Sequence, residues 1–177
     1  GLLLSFVSLR SGDRTMIYGF DARPGLVSGF LSGQRSFTKA QDFAAKLDYS
    51  SEESNFTLAL SSLASRLERR SLIIIFSDFV DTISAELMLE NVKRLTDRHL
   101  VLVATFEDET LSSIVDAPPN TTEDVTRAVI ADTLLAERDT VLLRLQRMGV
   151  QVLETRPEAF GPELISRYLQ IKQRNML

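Results

Sequence analysis

Apolar residues run without a break from Leu72 through Ile73, Ile74 and Ile75 to Phe76, and the run ends abruptly in Ser77, Asp78 and Asp81. Large hydrophobes in succession, with no alternation, suit a strand buried on both faces in the middle of a helix-covered parallel sheet. The pattern therefore predicts a central strand with Asp78 at its carboxyl end. In open α/β sheets that edge gathers ligands, because the loops leaving it diverge and open a crevice.

Upstream, Leu2 to Arg10 is apolar nearly all round and closes at Ser11-Gly12-Asp13, which reads as a buried helix tail, with a strand as the alternative. Thr15 to Phe20 forms a first strand, punctuated by Asp21-Ala22-Arg23-Pro24-Gly25. The weaker, glycine-interrupted stretch Leu26 to Leu31 pairs with it as a hairpin. Thr38 to Leu47 carries Phe43, Ala44 and Leu47 as an apolar helical stripe. Phe56 to Arg69 is a second helix, with Leu60, Leu63, Ala64 and Leu67 at helical spacing and Arg66 and Arg69 at its carboxyl end, where cations suit the macrodipole.

Downstream, Ser84 caps a helix that runs through Leu87, Leu89, Val92 and Leu95 to Arg98, and His99 to Phe106 is a further buried strand. Glu107-Asp108-Glu109 ends that strand and Pro118-Pro119-Asn120 breaks the chain. Thr121 and Asp124 form a capping box for the longest helix, which reaches Met148 and stops at Gly149. Val150 to Leu153 is the last strand, ended by Pro157, and Gly161-Pro162 opens a final helix through Leu164, Ile165, Tyr168, Leu169 and Ile171. From the central strand onward the order is β-α-β-α-β-α, which predicts a parallel sheet with right-handed crossovers and helices on both faces.

Composition narrows the function. A chain of 177 residues, 44% hydrophobic and 25% charged, is read as one domain with a real core. The mean hydropathy of +0.02 suits a soluble chain. A net charge of −4 supplies no basic field for nucleic acid. The absence of Cys removes disulfides, thiolate metal sites and cysteine nucleophiles. No apolar run approaches the roughly 18 residues of a membrane span.

Three strands end in acid: at Asp21, at Asp78 with Asp81, and at Glu107 with Asp108. Carboxylates with a hydroxyl such as Ser77 nearby are what a hard cation like Mg²⁺ or Ca²⁺ selects. The commoner use of Asp and Ser at strand ends is to cap the following helix and satisfy loop amides. The single histidine, His99, opens a strand at the edge opposite the carboxyl ends, which gives it a structural role. No serine triad can be built near Asp78 without it, and the GxxxxGK[ST] and GxGxxG phosphate loops are absent.

Ser11-Gly12-Asp13-Arg14 leading into Gly19-Phe20-Asp21, then Arg69 to Asp78, then Arg98-His99-Leu100-Val101-Leu102, resembles the bacterial domain of unknown function 58 family. The resemblance continues through Leu134-Leu135-Ala136-Glu137-Arg138, Arg147-Met148-Gly149-Val150 and Tyr168-Leu169-Gln170-Ile171-Lys172. That family is similar to von Willebrand factor A domains, which implies a Rossmann-like, mostly parallel sheet with one antiparallel edge strand and helices on both faces. It also implies a metal-ion-dependent adhesion site at the carboxyl edge. The adhesion-site Asp falls on Asp78, and the Thr position falls on Ser54 or Thr57. The DxSxS motif of such sites occurs nowhere in the chain. The first strand of the fold, with most of its following helix, is expected to be missing, so that the chain opens inside an element and either the two halves of the sheet pair directly or another segment, such as one from a second copy, fills the slot.

These expectations combine into a non-enzymatic protein-binding module. Its partner-binding residues are Ser77, Asp78 and Asp81, and any Mg²⁺ or other divalent cation is held weakly or not at all by Asp78, Ser54 and Thr57. The resemblance implies a MoxR-type AAA+ ATPase as partner, in chaperone-like assembly or envelope processes, without nucleic acid. It further implies a parent protein anchored through segments outside this chain at the cytoplasmic face of a bacterial inner membrane. The alternative is a Mg²⁺-dependent phosphate hydrolase or transferase with Asp78 as nucleophile or metal ligand. It is disfavoured because no Lys lies between Lys46 and Lys93 to steady a phosphoryl charge.

Overall fold

The computed structural model describes residues 1–48, 52, 54–77 and 82–174, with the backbone alone for 82–87. It divides into two compact units, one made of Gly1–Arg69 with Gly161–Asn175 and the other of Arg70–Phe160.

The first unit begins with helix α1 (Leu2–Arg10), which buries Ser5, Ser8 and Leu9 while Leu2, Leu3 and Phe6 stay exposed. Helix rather than strand is therefore correct, but it is only one-sidedly buried. Gly12, at φ 83°, ends it: the Asp13 amide donates to the Ser8 carbonyl and the Gly12 amide to that of Leu9. Only a residue free to adopt a left-handed backbone makes this reversal without strain.

The expected hairpin forms, but as two short antiparallel ladders. β1 (Arg14–Thr15) pairs with β4 (Leu31–Ser32), and β2 (Tyr18–Phe20) pairs with β3 (Pro24–Val27). The break has a cause: the Ile17 amide donates to the Ser28 hydroxyl at 2.9 Å instead of to a backbone carbonyl. α2 (Phe37–Ala44) and α3 (Phe56–Arg66) follow. Leu9, Leu31 and Ala40 form a small buried cluster with Ile17 and Phe37 against it.

The second unit holds the parallel sheet. β5 (Leu72–Phe76), β6 (Leu100–Phe106) and β7 (Gln151–Thr155) lie in the order β5-β6-β7, both pairs parallel. Here one expectation is corrected. Among the described residues β5 is an edge strand of this sheet, and its residues alternate between buried and half-buried before the exposed Phe76. β6 sits between two neighbours and is buried from Leu100 through Thr105. An unbroken apolar run identifies a parallel strand without saying which strand is central. The antiparallel ladders form separate sheets among the described residues, so they do not supply the antiparallel edge expected for the parallel one.

α4 (Thr82–Thr96) connects β5 to β6 and starts two residues before Ser84, the cap expected from sequence. α5 (Glu109–Asp116), in a stretch where no element is predicted from sequence, precedes α6 (Thr122–Arg147). The capping box is complete: the Asp124 amide donates to the Thr121 hydroxyl, and the Asp124 carboxylate accepts from the Thr121 amide. At the far end Gly149 takes φ 84° and the Val150 amide returns to the Leu145 carbonyl, with both side chains buried.

α7 (Pro157–Gln173) is the second correction, because it begins at Pro157 and carries Pro162 inside it. Pro157 fits the first turn, where no intrahelical donor is needed, so the start signal read at Gly161-Pro162 belongs to the residue four positions earlier. Among the described residues no helix is long and apolar enough to cross a membrane.

Candidate functional site

The carboxyl ends of the parallel strands carry the groups that distinguish this structure. Phe76 ends β5 and Phe106 ends β6, and they are 45% and 44% exposed. Both rings meet Phe160 of α7, at centroid separations of 6.1 Å for Phe76 and 4.6 Å for Phe106. Leaving two phenyl rings half in water at adjacent strand ends forgoes burial worth about 1.5–3 kcal/mol for each fully buried ring. Packing on Phe160 recovers only part of that.

Charges rim this aromatic platform. Arg156, just past β7, lies 3.5 Å from Glu107 and 3.8 Å from Glu109, all three well exposed. Such pairs rearrange at little cost. Beneath the platform the polar groups are paired. The buried Arg138 of α6 donates from Nε to Glu154 at 3.0 Å, and from Nη2 to the Thr105 hydroxyl at 2.9 Å and to the Phe106 carbonyl. One guanidinium thus ties α6 to the ends of β6 and β7, directly under Phe106. Beside it, Asp139, Leu142, Leu143, Gln146, Val152 and Glu154 line an open groove of 390 Å³ along β7.

Of the residues predicted from sequence, Ser77 lies at this edge, half-buried, its amide bonded to the Ala104 carbonyl at 3.3 Å. Asp78 and Asp81 lie outside the described residues. Ser54 and Thr57 belong to the first unit, where Thr57 is in the opening turn of α3 and the Ser54 carbonyl accepts from the Phe56 amide. The described residues therefore give no geometry for a ligand set of Asp78, Ser54 and Thr57. Among them, no group of three or more His, Cys, Asp or Glu side chains is arranged to hold a metal ion.

Two acids that end strands serve as caps. Asp108 Oδ1 accepts from the Leu111 amide at 2.9 Å, and Asp21 Oδ1 accepts from the Arg23 amide at 3.0 Å. His99 is buried, and among the described residues its Nδ1 has no hydrogen-bond partner. Burial, then the neighbouring Arg98 charge, lower its pKa and hold it neutral. That suits the structural role expected for it at the opposite edge from the platform.

Sequence reasoning passed over the three phenylalanines and Arg138. Its available signals were a Phe closing each of two adjacent strands before polar residues, and an Arg at a core position of α6, in line with Leu134 and Leu142.

The chain belongs to the family described as Protein of unknown function DUF58, whose model matches residues 1–153. No curated protein and no solved structure matches the chain.

Proposed function

We propose that this chain is a non-enzymatic protein-binding module that docks its partner on the carboxyl edge of the parallel sheet. The observation that carries this reading is the exposed pair Phe76 and Phe106, both packed at a tilt against Phe160 and rimmed by the exposed charges of Arg156, Glu107 and Glu109. Aromatic anchors within a charged rim are the composition of a protein docking surface. Ser77 adds a polar contact to that surface, and Asp78 and Asp81, which lie outside the described residues, are proposed as partner-binding residues from the sequence alone. A divalent cation such as Mg²⁺ binds there weakly or not at all, since the chain has no DxSxS motif.

Within this reading, β5, β6 and β7 correspond to the fourth, fifth and sixth strands of a von Willebrand factor A-like sheet. Their consecutive parallel order supports the correspondence. The partner is a MoxR-type AAA+ ATPase, the process chaperone-like assembly or envelope maintenance, and the setting the cytoplasmic face of the inner membrane. Family resemblance alone supports these three. The test is photo-crosslinking of the purified ATPase to chains carrying benzoylphenylalanine at position 106 or, as control, at the exposed Ser65 of α3. Cross-linking from position 106 and not from 65 is the expected result. The reverse pattern rejects the proposal.

A further inference from the structure

The second half of α6 packs on the sheet, and the first half does not. Arg138 contacts the carboxyl ends of β6 and β7, while Leu142 and Gln146 line a groove with Val152, lower on β7. α6 therefore runs antiparallel to β7, and the residues before Arg138 rise beyond the carboxyl edge. Thr122 to Glu137 spans about 24 Å at the rise of an α-helix. In that stretch only Ala131 is buried.

Ile130, Leu134, Arg138, Val141 and Leu145 recur at spacings of four, four, three and four, so they share one helical face. The last three are buried, yet Ile130 and Leu134 are 55% and 40% exposed. Among the described residues the core-facing stripe of α6 thus continues, uncovered, past the edge of the sheet. α5 packs along α6 without covering these two residues.

The charge around this uncovered stripe is one-sided. From Glu107 through Asp139 the chain carries nine carboxylates and two arginines, and no Lys. The two arginines are already engaged, Arg127 with Glu123 at 2.7 Å and Arg138 with Glu154. Glu137 is exposed, one turn beyond Leu134 on the same side. An apolar stripe with acidic flanks complements an apolar stripe with basic flanks.

We infer that the overhanging half of α6 receives a basic amphipathic helix of the partner protein. Ile130 and Leu134 take its apolar face and Glu137 takes its Lys and Arg. The inference rests on the reading of the carboxyl edge as a protein-docking surface and adds the chemistry of what docks beside it. An acidic face also disfavours an anionic lipid surface as occupant.

The test titrates the full chain against two labelled amphipathic helices, one built only of Leu and Lys and one only of Leu and Glu, by fluorescence anisotropy. The Leu/Lys helix binds and the Leu/Glu helix does not. Added salt weakens the complex, and affinity falls at least about tenfold in Ile130→Ser with Leu134→Ser and again in Glu137→Lys. Both apolar positions are exposed, so circular dichroism should report an unchanged fold. Failure of the Leu/Lys helix to bind, equal binding of the Leu/Glu helix, or indifference to the double substitution overturns the inference. So does light scattering that shows a dimer dispersed by the double substitution, which makes a second copy the occupant. Cross-linking of the ATPase at position 106 alongside any of those results rejects the helix-face inference alone and leaves the carboxyl-edge proposal standing.

Discussion

The phenol of Tyr168 donates a hydrogen bond to the carboxylate of Asp13, 155 positions earlier in the chain. Lys172, one turn further along α7, reaches the other oxygen of that carboxylate at 2.7 Å and the Ser11 carbonyl at 2.9 Å. The left-handed Gly12 aims Asp13 at both. Tyr168 is buried, so its charge-assisted bond is worth about 1.5–3 kcal/mol. The ion pair is about one third exposed, and such pairs contribute less than about 1 kcal/mol. Urea unfolding should therefore show Tyr168→Phe to be the more damaging change and Lys172→Met the milder one. The opposite order contradicts this account of the cluster.

Burial, then the hydrogen bond to Asp13 and its charge, raise the Tyr168 pKa above the ordinary tyrosine value. The native state therefore keeps a proton that the unfolded state releases. Stability is expected to fall as pH rises beyond about 10. Ultraviolet titration should show a tyrosine ionisation later than the ordinary tyrosine value, and that late step should vanish in Tyr168→Phe.

His99 gives the opposite slope. Its native pKa is lowered, so the unfolded chain binds the proton first as pH falls below about 6.5. Stability contributed by neutral His99 is present above that pH and lost below it. Thermal melts at pH 7 and pH 5.5 should differ less in His99→Gln than in the unaltered chain. An equal difference in both would place the acid sensitivity elsewhere.

Arg138 supports the aromatic platform from below. Removing it in Arg138→Met leaves Glu154 half-buried without its cation and strips a donor from the Thr105 hydroxyl and the Phe106 carbonyl. A loss of about 3–5 kcal/mol is expected in chemical unfolding, the range for breaking a buried ion pair by removing one partner. Arg138→Lys should recover little of it, because an ammonium does not span the three acceptors.

The correction of the central strand is also measurable. Leu102 of β6 is fully buried, whereas Ile74 of β5, its partner in register, is half-buried. Leu102→Ala should cost about 2–5 kcal/mol and Ile74→Ala clearly less. Equal costs would mean that β5 is as deeply packed as its sequence first suggests.

How much of this was readable in advance depended on the physics behind each element. Buried parallel strands and capped helices leave local signatures, so β5, β6 and β7 and the Thr121 to Gly149 helix follow from apolar runs, the capping box and the terminal glycine. The hairpin was legible as a pair of strands, but its division was not. Nothing local announces that the Ser28 hydroxyl will take the Ile17 amide. α5 was missed although Asp108 caps it and Leu111, Ile114 and Val115 have helical spacing, because eight residues before a Pro-Pro pair read as loop.

The candidate site was half legible. The apolar-to-acid transition after Phe76 marks the carboxyl end of β5, because the apolar run that forms the strand stops there. Which side chains meet there depends on register: Phe76 lies opposite Ala104, two residues short of Phe106, and Phe160 arrives from another element. Asp13, Tyr168 and Lys172 all stand in segments that carried the family resemblance. Only the folded chain shows that they touch.

The central claim is that a protein partner docks on the phenylalanine platform, and one affinity measurement tests it most directly. A purified MoxR-type ATPase should be titrated against the chain and against Phe106→Glu, a substitution at a half-exposed strand end that leaves the fold intact by circular dichroism. The account predicts saturable binding to the unaltered chain and a loss of at least about tenfold in the variant. Unchanged affinity in Phe106→Glu, or no binding to either, would contradict it.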